Sequence, residues 1–274
     1  MKKLTLFSLI ICLCCMPSCR ISIETPEVTQ ETTVAELEFS TYGYGWSWLY
    51  QVNEHIQLEN GVFEVPTTDD QGIPIVGIGR DSVENLEQIE EIVIGDHIQW
   101  ISDYGICNMP NLKRVCIGAN VNELREGVFH NCPQLNEVII SSENQYFISV
   151  NNCILSKDGK QLLRVWNSSF EIPATVEVIT YCSFADCSFL EKMVIPEGIT
   201  TIEMAAFAHC LNMREVYLPN TMKTVKALAF TNTSQDLTIC IPPNLDVSSF
   251  DEGWDMLHWE KSLKVVVGDP SKES

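Results

Sequence analysis

The sequence predicts a solenoid of stacked repeats, mainly β-structure with short helical turns. Three observations predict it: apolar residues recur every 23 positions, seven apolar columns keep this register over five repeats, and the period covers most of the chain. Such a period is typical of units that pack only against their neighbours. The column that starts each repeat contains Ile94, Ile117, Ile172, Ile195, Leu218 and Ile241.

Each repeat is expected to form one coil with two short strands and a turn. Positions within a repeat are counted from its starting residue, which is position zero. Position twenty-one and the starting residue of the next repeat are two positions apart, so their side chains share one face of a strand. Positions four and seven bracket a second extended segment. One coil alone buries too little apolar surface to offset the ordering of its backbone, so the repeats are expected to fold only as a stack. Position twelve, in the turn, contains Ile106, Phe129, Phe184, Phe207 and Phe230.

The text of two consecutive repeats carries a family resemblance. Phe170-Glu-Ile-Pro is followed by Phe184 and Cys187, and Met193-Val-Ile-Pro is followed by Phe207 and Cys210. This pattern resembles the BspA-like leucine-rich-repeat family of bacterial surface proteins, in which apolar-x-Ile-Pro precedes Ala-Phe, Cys and Leu. The resemblance covers about residues 60–268 and implies a leucine-rich-repeat solenoid (BspA-like).

The repeats depart from the family pattern in two ways. The step from Ile117 to Ile172 is longer than two periods, and residues 142–166 resemble the hairpin insertion that such proteins often place between repeats. In the later repeats a Pro follows the starting residue, whereas the early repeats have Gly95, Gly118 and Ser141 at this position. The last repeat has Thr233 where the family pattern has a Cys.

The N-terminus predicts export and a lipid anchor. Lys2 and Lys3 precede an apolar run that is too short to span a bilayer, so residues 1–18 are interpreted as a lipoprotein signal peptide. Met16-Pro17-Ser18-Cys19 resembles a bacterial lipobox, which implies lipid attachment to Cys19. An ordinary signal peptide is the alternative. Residues 19–33 would comprise the lipidated cysteine and a flexible tether, because they are polar and contain few apolar side chains.

Caps are expected at both ends of the repeats, which span residues 71–248, because an open solenoid end would expose a bare sheet edge. Residues 34–70 are rich in aromatic side chains and turn signals, which predicts a β-rich N-terminal cap. Residues 249–274 predict a C-terminal cap and tail: a short helix with Trp254 and Trp259, then a strand over Leu263–Val267.

Charge and cysteine usage restrict the partners and the chemistry. The net charge is −20, and without Lys2 and Lys3 it is 15 − 37 = −22. Such a surface repels phosphate backbones and anionic lipid, so nucleic acid is excluded as a partner and membrane contact is expected only through the N-terminal lipid.

The cysteines Cys132, Cys187 and Cys210 occupy the same position of their repeats, which predicts buried free thiols rather than disulfides. Cys182 and Cys187 are the pair most suited to a local bridge.

The sequence shows no pattern of an enzyme or of a metal site. The histidines fall at unrelated repeat positions, and the spacings of common hydrolase, nucleotide and zinc motifs are missing. We therefore expect no catalytic residue, metal or cofactor.

A partner surface is predicted on the outward column between the two inward positions of the first strand. Its side chains are apolar although they should point away from the core, and stacked strands would merge them into a stripe about 30 Å long. Alternatively, sheet propensity alone selects these residues, or the insertion covers them. The column contains Val93, Cys116, Ile139, Glu171, Val194, Tyr217 and Cys240. The residues predicted to contact a partner are Val194, Tyr217, Ile139 and Trp100.

The resemblance implies a non-catalytic lipoprotein of the bacterial cell envelope, exposed on the outer membrane, that mediates protein–protein recognition or adhesion. Its partner would be a host matrix protein or a cell-surface protein. Two alternatives stay open: a glycan-binding or nutrient-capture accessory lipoprotein, in which exposed aromatic rings stack on sugars, and a purely structural envelope protein.

Overall fold

The computed structural model describes residues 37–42, 45–258 and 261–268 as a β-solenoid. The predicted signal peptide, Cys19, the tether and Trp259 lie outside these residues. Twenty-three strands form within the described ranges: β1 (Leu37–Tyr42), β2 (Trp46–Val52), β3 (Val62–Glu64), β4 (Ile75–Ile78), β5 (Val83–Glu84), β6 (Glu91–Ile94), β7 (Trp100–Ile101), β8 (Ile106–Cys107), β9 (Arg114–Ile117), β10 (Glu123–Leu124), β11 (Glu137–Ile140), β12 (Phe147–Val150), β13 (Cys153–Ser156), β14 (Gln161–Val165), β15 (Val178–Ile179), β16 (Lys192–Val194), β17 (Thr201–Ile202), β18 (Glu215–Tyr217), β19 (Thr224–Val225), β20 (Thr238–Ile241), β21 (Met256–His258), β22 (Lys261–Ser262) and β23 (Lys264–Val267).

Four sheets line the coils. Sheet 1 has the order β1-β2-β4-β7-β10 and sheet 2 the order β11-β9-β6-β3, and together they form the N-terminal block. Sheet 3 has the order β12-β13-β14-β15-β17-β19 and sheet 4 the order β16-β18-β20-β23. Strands β15 to β20 and β23 form the C-terminal block. Two small sheets pair β5 with β8 and β21 with β22.

The strands stack in register at the period seen in the sequence. In sheet 2, Glu137 pairs with Arg114 and Arg114 pairs with Glu91, so that each step between strands is one period of the repeat. The pairing is parallel, as it must be when every coil runs in the same direction. The solenoid fold class is therefore confirmed. Most repeats contain both predicted strands, but no strand forms at Glu171 and Ile172, where the first strand of one repeat was expected.

The predicted helical turns are absent from the described part of the chain. Equivalent turn residues Cys182, Ala205 and Leu228 have positive φ angles of 53°, 56° and 58°, which no α-helix contains. Some turn amides bond to the next coil: the N–H of Phe184 donates to the carbonyl of Ala206, at 2.9 Å, and Phe207 donates to Ala229 in the same way. The residue that follows each Phe, Ala185 or Ala208, donates within its own turn. A helix would satisfy the amides of Phe184 and Phe207 within one coil and would lose their bonds to the next coil.

The core contains the predicted columns as ladders. Phe184 and Phe207 are stacked with ring centroids 4.8 Å apart, and Phe207 and Phe230 with centroids 5.3 Å apart. Beside them the predicted cysteine column is buried, and all eight cysteines of the described residues are free thiols, Cys182 included. Burial raises the pKa of Cys132 and of Cys187 to about 12, so both thiols stay protonated at neutral pH.

The insertion at residues 142–166 joins two separate hydrophobic cores. Its strands β12, β13 and β14 form an antiparallel sheet, and β14 then pairs in parallel with β15. Strand β13 is buried on both faces: Ile154 packs in the N-terminal core, whereas its neighbours Cys153 and Leu155 pack in the C-terminal core. The insertion is therefore a shared layer between the two blocks.

The C-terminal cap differs from the prediction. The expected strand forms as β23, which pairs with β20, but no helix forms over the described residues 249–258. Gly253 has a φ of 78°, and the carbonyls of Gly253 and Leu257 accept hydrogen bonds from Leu228 and Asn232 of the preceding coil. Because those carbonyls bond to another coil, the segment follows the solenoid instead of closing a helix.

The Phe ladder predicts where stability is concentrated. Phe207→Ala is expected to lower the free energy of unfolding by about 3–5 kcal/mol, because it opens a cavity between two stacked rings. Leu211→Ala, in the same repeat but 63% exposed, should change it by less than about 0.5 kcal/mol. Urea unfolding followed by circular dichroism measures both. Equal effects of the two substitutions would contradict the ladder as a main source of stability.

Candidate partner-binding surfaces

The outward column predicted from the sequence forms two separate rows. On sheet 2, Val93, Cys116 and Ile139 are register partners, and on sheet 4 Val194, Tyr217 and Cys240 are. Each row therefore runs across neighbouring strands, as the repeat period requires.

The predicted continuous stripe is wrong, because the two rows are interrupted at the insertion. Sheets 2 and 4 are not joined, and Glu171, the residue expected between Ile139 and Val194, lies in no strand. Its N–H instead donates to the carbonyl of Asn151, in the insertion. Because the chain at Glu171 bonds to the insertion, it does not form the strand that would have joined sheet 2 to sheet 4.

The row on sheet 4 has a strongly exposed end. Val194, on the edge strand β16, is 62% exposed, whereas Tyr217 beside it is half-buried and Cys240 is buried. The Tyr217 hydroxyl donates to Oε2 of Glu215 at 3.0 Å, and the Lys192 ammonium lies 4.6 Å from the ring centroid. Burial, and then the bond to Glu215, raise the pKa of Tyr217, so its hydroxyl is neutral at physiological pH. These contacts fix the orientation of the ring next to Val194.

Ile139 lies at the end of the row on sheet 2. It is 41% exposed on the edge strand β11 and lines a cavity of about 340 Å³. The other walls come from the insertion, through Ser149, Asn151 and Asn152, and from Trp166. Ile139 is therefore separated from Val194 by the insertion.

Trp100 lies on sheet 1 and belongs to an aromatic cluster, not to either row. Its ring centroid is 6.3 Å from that of Trp48, which is 5.9 Å from that of Trp46, and all three indoles are half-buried. Gly77 pairs with Trp48 on one side and with Trp100 on the other. Strands two apart are separated by about 9.6 Å, so the rings approach only by leaning over the glycine between them.

The close approach depends on the missing side chain of Gly77. A Cβ atom there would lie 2.1 Å from Cε2 of Trp100. Sequence reasoning assigned Trp46 and Trp48 to the cap and did not link them to Trp100. The available signal was the alternation of Trp46, Trp48 and Tyr50, together with a glycine one repeat period before Trp100.

One group of side chains has the spacing of metal ligands. Ligand atoms of Asp81, Glu84 and Cys107 lie within 4.8 Å of one another. Burial raises the pKa of Cys107 to about 12, so the thiol is protonated at neutral pH when no metal is bound. A metal would have to displace this proton before Cys107 could act as a ligand.

The fold and the exposed rows define a repeat protein of the leucine-rich class. The sequence matches the family described as BspA type leucine rich repeat region in six copies, over residues 70–156 and 166–252, on either side of the end of the insertion. The chain therefore belongs to the BspA type leucine-rich-repeat family. Proteins of this family are bacterial surface proteins, typically bind other proteins and are generally non-catalytic.

Solved structures of bacterial repeat proteins are similar at low identity. The pneumococcal vaccine antigen PcpA is 18% identical, with 78% of this chain and 82% of that chain covered and a TM-score of 0.46. The T. pallidum leucine rich repeat protein TpLRR is 15% identical, with 81% and 86% covered and a TM-score of 0.41. No curated protein matches the chain. Within the ranges that the structure describes, no helix is long and apolar enough to cross a membrane.

The tryptophan cluster predicts a coupling between Gly77 and Trp100. Gly77→Ala is expected to lower the free energy of unfolding by about 1–3 kcal/mol, because the new methyl group must displace the indole. In a Trp100→Ala background the same substitution should cost much less, and urea unfolding of the four proteins in the cycle measures the difference. A cost that is the same in both backgrounds would show that the ring does not occupy this space.

Proposed function

We propose that this protein is a non-catalytic lipoprotein of the bacterial cell surface that recognises a protein partner through its repeats. Val194 and Tyr217 on sheet 4 make the main contact, and Ile139 and Trp100 belong to separate supporting patches. The lipid on Cys19 holds the repeats at the outer membrane, and residues 20–33 act as the tether.

The exposure of Val194 carries the proposal. Val194 is 62% exposed on an edge strand, next to a Tyr of fixed orientation. Burial of this apolar surface by a partner would contribute favourably to the free energy of binding. Tyr is enriched at the energetically dominant positions of protein interfaces, because its ring is large and rigid and its hydroxyl is polar. The Lys192–Glu215 ion pair at 3.1 Å provides a polar rim beside this apolar centre.

The partner fits the chemistry of an exposed protein surface rather than that of a polyanion. The net charge of −20 opposes nucleic acids and anionic glycans. A host matrix protein or a protein of another cell is the expected partner class, in agreement with the surface proteins of the family.

Substitution of the two contact residues tests the binding surface. Tyr217→Asp and Val194→Asp are each expected to weaken binding of the full-length chain to immobilised host matrix proteins by about thirtyfold, the usual effect of a dominant interface residue. Leu211→Asp is the matched control, because Leu211 is 63% exposed but lies outside sheet 4. Circular dichroism verifies folding. Binding that survives both substitutions, or falls equally with Leu211→Asp, would exclude the sheet 4 surface.

The tryptophan cluster supports glycan binding as a second candidate function. Three half-buried indoles, with Tyr50 52% exposed on the same face of β2 as Trp46 and Trp48, offer aromatic surface on which sugar rings can stack. A neutral glycan panel in the same assay separates the two functions. Glycan binding that is lost in Trp100→Ala and retained in Tyr217→Asp would favour the glycan candidate.

The anchor is tested in cells. Cys19→Ser should abolish incorporation of labelled fatty acid and should move the protein from the membrane fraction to the soluble fraction, since the acyl chains supply the membrane affinity. Ser22→Ala, in the predicted tether and outside the lipobox, serves as a control for expression and export. A Cys19→Ser protein that still incorporates the label would show that the anchor lies elsewhere.

A further inference from the structure

A cavity of about 240 Å³ lies where the insertion meets the two blocks. Its walls come from three segments: residues 127–133 of the N-terminal block, residues 164–168 at the end of the insertion, and residues 185–189 of the C-terminal block. The walls include Arg164, Trp166, His130 and Asp186. Trp166 also lines the cavity beside Ile139, whereas the other three side chains take no part in the surfaces described above.

Arg164 brings a buried positive charge to this cavity. It is only 6% exposed, and its guanidinium donates to the carbonyls of Cys182 and of Arg125, one from each block. A guanidinium has five N–H donors, so these two bonds leave others available. No carboxylate of the described residues lies within the 4.0 Å of a salt bridge. A buried charge that forms no salt bridge is costly, and removal from water lowers the pKa of Arg164.

Two further polar atoms of the cavity walls are unsatisfied. Trp166 is 7% exposed, and its buried indole N–H has no hydrogen-bond acceptor among the described residues. The buried Nδ1 of His130 also makes no hydrogen bond within those residues, and it lies 3.8 Å from Oδ2 of Asp186. Unsatisfied buried polar groups are rare because each loses its bonds to water. Two hydrogen-bond donors of the cavity walls, the Arg164 guanidinium and the Trp166 indole N–H, therefore make no hydrogen bond to a carboxylate of the described residues.

The carboxylates around the cavity favour a ligand with one negative charge over a dianion. Asp186 accepts a hydrogen bond from the Tyr104 hydroxyl at 3.1 Å, so part of its acceptor capacity is already used. Asp186 and Glu126 both lie close enough to favour the charged form of Arg164. Two carboxylates near one guanidinium would repel a dianion such as phosphate. A planar monoanion with two oxygens matches the fork of a guanidinium.

We propose that this cavity binds a carboxylate group, held by the Arg164 guanidinium and the Trp166 indole N–H, with His130 beside it. The carboxylate belongs to a small organic acid or to the C-terminus of a peptide. Because the walls come from both blocks and from the insertion, the bound group also ties the two halves of the solenoid together. This site is independent of the sheet 4 surface.

Calorimetric titration of the full-length chain at pH 7 tests the site. The probes are acetate, inorganic phosphate, and N-acetyl-Gly-Gly with a free or an amidated C-terminus. We expect saturable binding of both carboxylates, at least tenfold weaker binding of the amide, and no binding of phosphate. A peptide affinity at least tenfold above that of acetate identifies a peptide C-terminus as the source, and equal affinities identify a small acid; either result supports the proposal.

Variants locate the binding. Trp166→Phe removes one N–H donor but keeps the packing, and it should weaken carboxylate binding about tenfold or more. Trp254→Phe is the matched control and should leave the affinity unchanged, because Trp254 packs against Phe250 near the C-terminus. Arg164→Gln should abolish binding. Since Arg164 also links the blocks, that variant could fail to fold, and Trp166→Phe then decides.

Three results would overturn the proposal. The first is that neither acetate nor the peptide with a free C-terminus binds saturably. The second is equal affinity for the free and the amidated peptide, which would show that charge is not recognised. The third is an equal effect of Trp166→Phe and Trp254→Phe.

Discussion

The hydrogen bond from the backbone of one coil to the backbone of the next is the constraint on which the rest of this structure depends. It operates in the sheets, where partners lie one repeat period apart, and also in the turns, where Phe184 donates to Ala206 and Phe207 to Ala229. Since buried backbone donors must be satisfied, every coil depends on its neighbours. The requirement explains why the turns adopt positive φ angles rather than helix, and why carbonyls near Gly253 accept bonds from Leu228 and Asn232 of the preceding coil.

Among the described residues, the insertion interrupts this regular stacking, and the unusual side chains collect at the same place. Strand β13 is apolar on both faces because it is shared by two cores. Polar contacts also cross the interruption: Asn167 donates to the carbonyl of Leu135, and Arg164 bonds to both blocks. Where the regular stacking stops, the layers no longer fit closely and a cavity remains between them. Such a cavity has room for polar side chains such as Arg164, which a close-packed ladder of identical apolar residues does not. The carboxylate cavity, the separation of Ile139 from Val194 and the two-part family match all follow from this interruption.

The surfaces show how a scaffold and a binding function share the same strands. Inward positions are interchangeable ladders of Ile, Val, Phe and Cys, and they carry no information about a partner. Outward positions vary from repeat to repeat: Val194 is open, Cys240 is buried, and Gly77 makes room for the rings of Trp48 and Trp100. Recognition in such a protein therefore depends on the few outward residues that break the pattern.

The sequence by itself determined the solenoid, the period, the two strands of the regular repeats and the buried free cysteines, because each of these follows from side chains that recur at a fixed spacing. The apolar character of the residues around Val194 and Tyr217 was also visible, since strand alternation assigns inward and outward positions directly. Only the tertiary structure decided the conformation of the turns, because a turn amide can bond within its own coil or to the next, and local sequence does not distinguish the two. It alone also decided the approach of Trp48 to Trp100 over Gly77 and the bonds of Arg164 to both blocks, since these contacts join residues that only stacking brings together.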